Sequence, residues 1–262
     1  MPYYRRKNIG RKPRRAPRKY AKRVYKRKST GLKRMVKQMI NRNIEDKFIT
    51  LYGANNGLTI GGSAQSPYYL SLCPVPTQSV NVQGRVGNEI TVVRSQIRGY
   101  VNVLPYNVTT NPLLAPFYCK IWICSRKRTN QLISGAPSLT DFNNFFQSGA
   151  TSLGFQSNML DILFSPNKDY WNVHATKLLR LEFQSSIAGS GAVLSPSGYV
   201  TQPFSFNLAK HLGKLKYNDA STQPTNKELY IVFQCVTADG VSSSVGPTCE
   251  MHYVLDHQYQ DA

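Results

Sequence analysis

Arginine and lysine side chains dominate the first 43 residues, which hold 18 of the chain's 33 basic residues and no Asp or Glu. A guanidinium group donates paired hydrogen bonds that match phosphate oxygens, and it also stacks on flat rings. This stretch therefore predicts binding to a polyanion. The candidate binding residues are Arg5, Arg6, Lys7, Arg11, Lys12, Arg14, Arg15, Arg18, Lys19, Lys22, Arg23, Lys26, Arg27 and Lys28.

Four tyrosines are interspersed among these cations, at Tyr3, Tyr4, Tyr20 and Tyr25. Aromatic rings among cations are typical of single-stranded nucleic-acid binding without sequence preference, because every base has a face to stack on. Such binding should weaken steeply as salt rises. A stretch of this charge density is expected to stay disordered until it meets its partner. The alternative, a charged stretch that only maintains solubility, does not explain so many bases without one acid.

The same arm contains two basic clusters of the kind that nuclear-import receptors bind. A mitochondrial or chloroplast transit peptide is an alternative, since such peptides are also rich in Arg and poor in acids, but they are richer in Ser and less densely charged. We therefore expect a nuclear-import signal. Its residues are Arg11, Lys12, Arg14, Arg15, Arg18, Lys19, Lys22, Arg23, Lys26, Arg27 and Lys28.

An amphipathic helix is predicted at about residues 30–43, at the end of the arm. Its apolar residues recur at helical spacing and share one face; they are Leu32, Met35, Val36, Met39 and Ile40. This helix could lie on a membrane surface or bind a partner. A linker helix that packs on the rest of the protein is the simpler interpretation.

Residues 44–262 form the predicted second region, a single all-β domain. They hold 15 basic and 13 acidic residues, so nearly all of the net charge of +20 resides in the arm. Apolar residues alternate with polar ones in several segments, which predicts about eight half-buried strands. We expect a strand or strand pair from Glu89 to Leu104, interrupted near Gly99, and a loop from Tyr52 to Pro67. Ser138–Asp141 resembles a capping box and predicts a helix containing Phe142 and Phe146.

This strand pattern favours an antiparallel sandwich or jelly roll, because strands and helices do not alternate regularly. No apolar run is long enough to span a membrane, so no membrane insertion is expected. Five widely spaced cysteines, an odd number, are typical of a reducing compartment rather than of a disulfide framework.

Residues that could perform catalysis or bind metal do not form a recognisable motif. Cys249, His252 and His257 have the residue types of a zinc site, but on one strand His252 would face away from the other two. His174 and His211 have no local partner in sequence, and we interpret them as structural. We predict no enzymatic activity, no cofactor and no metal. A nuclease or recombinase remains the enzymatic alternative.

Several short segments of the body are similar to segments in the capsid proteins of circular Rep-encoding single-stranded DNA viruses, the circovirus and cyclovirus group. These segments are Arg85–Ile90 with Ile97–Gly99, Lys214–Asn218, Asn226–Phe233 and Tyr259–Asp261. The acid-free arm followed by a β domain of this size also resembles those proteins. The resemblance is one of pattern and spans most of the chain.

That resemblance implies a single eight-stranded jelly roll that self-assembles, as 60 copies, into an icosahedral T=1 shell. The arm would then bind the circular single-stranded DNA genome and host nuclear-import receptors. The protein would be found in the virion and in the host cell nucleus, and it would bind a host-cell attachment factor. The non-capsid alternative is a nucleic-acid-binding protein with a β-barrel domain and a basic tail.

Overall fold

The computed structural model describes residues 46–59, 67–81, 83–104, 116–127, 139–156, 158–182, 200–238 and 247–261, together with residues 31, 33 and 35. The chain divides into two units, Met1–Glu45 and Asp46–Ala262. The described strands are β1 (Asp46–Thr59), β2 (Tyr68–Ser71), β3 (Glu89–Val103), β4 (Phe117–Arg126), β5 (Phe146–Ser148), β6 (Thr151–Leu153), β7 (Ser165–Pro166), β8 (Trp171–Leu181), β9 (Thr201–Asn207), β10 (Lys214–Lys216), β11 (Tyr230–Thr237) and β12 (Pro247–Asp261). The described helices of the second unit are a 3-10 helix (Leu139–Asn144), α1 (Leu160–Leu163) and α2 (Ala209–Leu212).

Nine of these strands form two antiparallel sheets, one of five strands and one of four. In the first sheet β12 lies between β1 and β3, and the far edge of β3 pairs with β9 and, at its start, with β10. In the second sheet the order is β2, β11, β4, β8. Strands that follow one another in sequence mostly lie in different sheets, and this order is that of a jelly roll. The predicted all-β, antiparallel jelly roll is confirmed.

The core lies between the two sheets and is built by alternate residues of each strand. In β3, Ile97 and Val101 are fully buried, whereas Arg98 and Tyr100 between them are exposed. Alternate apolar residues of β11, with Leu229 just before it, belong to the same core; they are Leu229, Ile231, Phe233 and Cys235. Period-two alternation therefore identified the core side of these strands correctly.

The two central strands of the second sheet, β4 and β11, are largely buried on both faces, which the sequence did not predict. All eight residues of β11 are buried, and so are Trp122 and Cys124 on the outer face of β4. The segment 139–166 covers this face with the 3-10 helix, the small sheet of β6, β5 and β7, and α1. Its aromatic side chains pack around Trp122 and Trp171; they are Phe142, Phe145, Phe146 and Phe155. We call this set of six rings the aromatic layer.

Three local predictions were wrong. The strand β3 is continuous through Gly99, where glycine is required because an added Cβ would lie 2.3 Å from the carbonyl oxygen of His252. The loop predicted from Tyr52 is strand as far as Thr59. The helix predicted after Ser138 is only a 3-10 helix ending at Asn144, and Phe146 already belongs to β5.

Of the amphipathic helix predicted at about residues 30–43, the structure describes Gly31, Lys33 and Met35, which are helical and exposed. The rest of that helix lies outside the described residues. Within the described part of the chain, no helix has the length and hydropathy of a membrane span.

Candidate functional site

The basic residues predicted to bind nucleic acid and nuclear-import receptors, from Arg5 to Lys28, lie outside the described residues. Their roles stay predictions. The described unit brings together other groups of polar side chains, and four of these groups are built from residues that the sequence analysis singled out.

A buried arginine, Arg85, organises the segments that resemble capsid proteins. Its Nη1 donates hydrogen bonds to the oxygen of Gly87 at 2.7 Å and to Oδ1 of Asn88 at 2.8 Å. Its Nη2 donates to the backbone oxygens of Asn218 at 2.7 Å and Ser221 at 3.0 Å. The guanidinium carbon also lies 5.1 Å from the ring centroid of Tyr217. Arg85 thus joins the turn before β3 to the turn after β10.

Asp261, at the end of β12, forms hydrogen bonds with the turn before β3. Its carboxylate accepts hydrogen bonds from the backbone N–H of Val86 at 2.5 Å and from Lys47 Nζ at 3.2 Å. Lys47 is 2% exposed and also donates to the oxygen of Gly84 at 3.1 Å. We call Lys47, Arg85, Asn88, Asn218 and Asp261 the polar node.

The segments around β10 complete this arrangement. Asn226 accepts a hydrogen bond from the N–H of Lys216 at 2.8 Å and donates to the oxygen of Lys214 at 3.0 Å. Glu89 forms ion pairs with both lysines. Hydrogen bonds from Lys214 and Lys216 lower the pKa of Glu89. All of the segments that resemble capsid proteins except Ile97–Gly99 therefore meet here. Most of their polar atoms pair with one another, although Arg85 Nε is buried with no partner among the described residues. This pairing indicates a structural role.

Two histidines that the sequence analysis treated as isolated form a pair. The rings of His174 on β8 and His211 in α2 have centroids 4.3 Å apart, and Ser125 Oγ lies 2.9 Å from Nε2 of His174. The pair lines a cavity of about 250 Å³, which Arg126 and Glu228 also border. Burial lowers the pKa of both imidazoles, and Lys210 lowers both further. Thirty-seven residues separate the two histidines, and no sequence pattern predicts their contact.

All five cysteines are free and buried. Cys119 on β4 lies opposite Cys235 on β11, and Cys235 Sγ is 3.6 Å from Cys249 Sγ of the other sheet. Burial raises the pKa of Cys73 to about 12. Cys119 belongs to the core between the sheets and Cys124 to the aromatic layer's side of β4, so the two thiols face opposite sides of this strand.

The three residues that imitate a zinc site are separated as the strand geometry predicts. Cys249 and His257 are buried on the core side of β12, whereas His252 stacks on Tyr100 of β3. His257 Nδ1 lies 2.9 Å from Ser95 Oγ. Among the described residues, no group of three or more His, Cys, Asp or Glu side chains is arranged to hold a metal ion.

No protein-family profile matches the chain, and no curated protein matches it. Solved structures to which the chain is similar include one of Desmodium yellow mottle tymovirus, with 10% identity, a TM-score of 0.31, and coverage of 83% of this chain and 85% of that one. A structure of mud crab tombus-like virus has 12% identity, a TM-score of 0.32, and coverage of 84% and 80%. The unassembled VP1 pentamer of Washington University polyomavirus has 9% identity, a TM-score of 0.30, and coverage of 82% and 95%. The assignment of the jelly roll rests on the strand order of the two sheets.

Proposed function

We propose that this chain is a viral coat protein, in which residues 44–262 form the shell and residues 1–43 bind the genome. The observation that carries the proposal is the combination of a jelly-roll strand order with an arm of 18 basic and no acidic residues. A jelly roll alone also serves lectins and cupins, so the arm is what favours a shell that encloses nucleic acid.

The charge distribution supports closed assembly around a polyanion. The body has 15 basic and 13 acidic residues, so its copies can pack together without strong like-charge repulsion. Sixty arms would bring about 1,080 positive charges into a T=1 shell, which would neutralise about 1,080 phosphates at one charge each. This is the scale of a genome of roughly one to two thousand nucleotides. That scale suits a small circular single-stranded DNA.

We further propose that the arm's two basic clusters direct the protein to the host cell nucleus through import receptors. Clusters of Lys and Arg of this kind are what nuclear-import receptors bind. We also propose that the assembled shell binds an attachment factor on the host cell.

Electron microscopy of negatively stained full-length protein tests the proposal, with the ratio of absorbance at 260 and 280 nm read from the same sample. We expect uniform closed particles that contain nucleic acid. Protein that stays small after single-stranded DNA is added, at every salt concentration tried, would overturn the capsid assignment. That result would favour a nucleic-acid-binding protein that does not assemble.

The role of the arm has its own test. Deleting residues 2–28 should abolish DNA binding and nuclear accumulation, while circular dichroism shows that the β domain is still folded. Replacing the arm's arginines by lysine should weaken binding less than replacing them by glutamine, because the charge is kept. A truncated body that binds DNA with the same salt dependence would exclude the arm as the binding element.

A further inference from the structure

We propose that the outer face of the first sheet carries a stacking site for the bases of single-stranded nucleic acid. The site is a groove bordered by Tyr52 on β1, His252 and Val254 on β12, and Arg98 and Tyr100 on β3, and we call it the aromatic groove. The inference rests on the proposed function, because it assumes that nucleic acid lies beside this face.

Strand register places these side chains next to one another. Tyr52 lies opposite Val254, and Val254 lies opposite Arg98, so the three form one row across three strands. In the next row His252 lies opposite Tyr100, and their rings stack with centroids 4.7 Å apart and planes at 19°. Tyr52 is 80% exposed and Tyr100 43% exposed. Contiguous exposed rings of this kind mark a binding surface more often than isolated exposed residues do.

A bulge in β1 opens the groove. The pairing of β1 with β12 shifts between Gly53 and Asn56, so His252 has no directly paired residue on β1. Asn55 takes a positive φ of 56° in this bulge. The bulge is held in place because Asn56 Nδ2 donates to the oxygen of Met251 at 3.2 Å, and the Tyr68 hydroxyl donates to Asn56 Oδ1 at 3.2 Å. Bulges often redirect side chains beside functional sites.

The cavity left beside the bulge measures about 630 Å³, which is room for planar groups the size of nucleobases. Arg98 borders it, and its Nη2 is held at 2.5 Å from the carboxylate of Asp256. Because that charge is already balanced, the groove is suited to the faces of bases rather than to phosphates. Stacking on Tyr and His rings tolerates any base, which agrees with packaging of a whole genome.

The groove and the arm are linked covalently. The arm ends at residue 43, β1 begins at Asp46, and Tyr52 lies six residues further along this strand. An extended strand rises about 3.3 Å per residue, so Asp46 is roughly 20 Å along the strand from Tyr52. This covalent link limits how far nucleic acid bound by the arm can lie from the aromatic groove.

The test compares full-length protein with the double variant Tyr52→Ala/Tyr100→Ala. The probe is a thymidine oligomer of about 20 nucleotides with one 2-aminopurine, whose fluorescence falls when it stacks on a ring. We expect the double variant to bind about tenfold more weakly and to lose most of the quenching. The salt dependence of binding should not change, because phosphate contacts belong to the arm.

Two controls make the result specific. Tyr170→Ala removes an exposed tyrosine that does not border the groove, and it should leave both affinity and quenching unchanged. Tyr52→Phe/Tyr100→Phe keeps the rings and should restore binding. Circular dichroism verifies that each variant is folded.

Unchanged affinity and quenching in the folded double variant would overturn the inference while leaving the proposed function intact. A double variant that binds the oligomer normally but no longer forms particles would also overturn it, because the face would then be a contact between copies of the chain. Failure of the proposed function is recognised separately, since the unmodified protein would then form no particles containing nucleic acid.

Discussion

The two sheets of the jelly roll share one core but differ on their outer faces. In the second sheet the aromatic layer covers the outer face of the central strands β4 and β11, and Trp122 there is fully buried. The outer face of the first sheet is open, and Tyr52 there is 80% exposed. Large aromatic side chains therefore serve two purposes in one domain. On the covered sheet they add a second core, whereas on the open sheet they are available to a partner.

The strongest way to test this comparison is to remove a ring from the aromatic layer. Trp122→Ala should lower the free energy of unfolding by about 4 kcal/mol, because a large cavity would form among packed rings. Urea denaturation measures this loss. The matched change on the open sheet, Tyr52→Ala, should alter stability by less than about 0.5 kcal/mol. Equal losses at both positions would show that the open face is also a packing surface within the subunit.

Breaking the ion pair in the polar node should cause the next largest loss of unfolding free energy. Asp261→Asn leaves Lys47 as a buried ammonium group without its carboxylate, and breaking such a pair typically costs about 3 kcal/mol. Adding Lys47→Met to this variant should recover part of the loss, because the buried charge is then absent as well. Chemical denaturation of the two variants checks this. A double variant less stable than Asp261→Asn would contradict the assignment.

Acid should lower the stability of the protein through His257, which is buried on the core side of the first sheet. Burial lowers the pKa of His257 to about 4, from an ordinary value of 6.5. The unfolded chain therefore binds the proton first, so stability is complete above about pH 6.5 and falls as the pH drops toward 4. This one group accounts for a loss of roughly 3 kcal/mol at most.

The contribution of His257 is measured as the slope of unfolding free energy against pH. His257→Asn should flatten that slope between about pH 6.5 and 4. His252→Asn, which removes an imidazole from the opposite face of β12, is the matched control. An unchanged slope in His257→Asn would mean that other groups, such as His174 and His211, cause the acid sensitivity.

The smallest change in unfolding free energy is expected for a substitution near the start of β1, on the open outer face of the first sheet. Phe48 is 52% exposed on β1, and Phe48→Ser should change the unfolding free energy by less than about 0.5 kcal/mol. Thermal unfolding by circular dichroism would detect a larger change. A loss of several degrees in melting temperature would indicate that Phe48 packs within the subunit and is not part of an open surface.

The class of the fold and the location of the charge could both be predicted from local patterns in the sequence. Alternation of apolar residues is a local property of an extended backbone, so strands such as β11 and the core side of β12 could be identified without their neighbours. The arm was equally apparent, because 18 bases without an acid need no tertiary structure to be recognised. The binding roles of the individual residues within the arm remain predictions.

Tertiary structure alone decided which distant residues meet. The hydrogen bond of Arg85 to Asn218 spans 133 residues, and that of Asp261 to Val86 spans 175. The covering of the second sheet, the pairing of His174 with His211 and the aromatic groove likewise depend on strand order and on a bulge in β1. Periodicity shows which side a residue faces, but it does not show what lies against that side, because contacts across strands are set by register and topology.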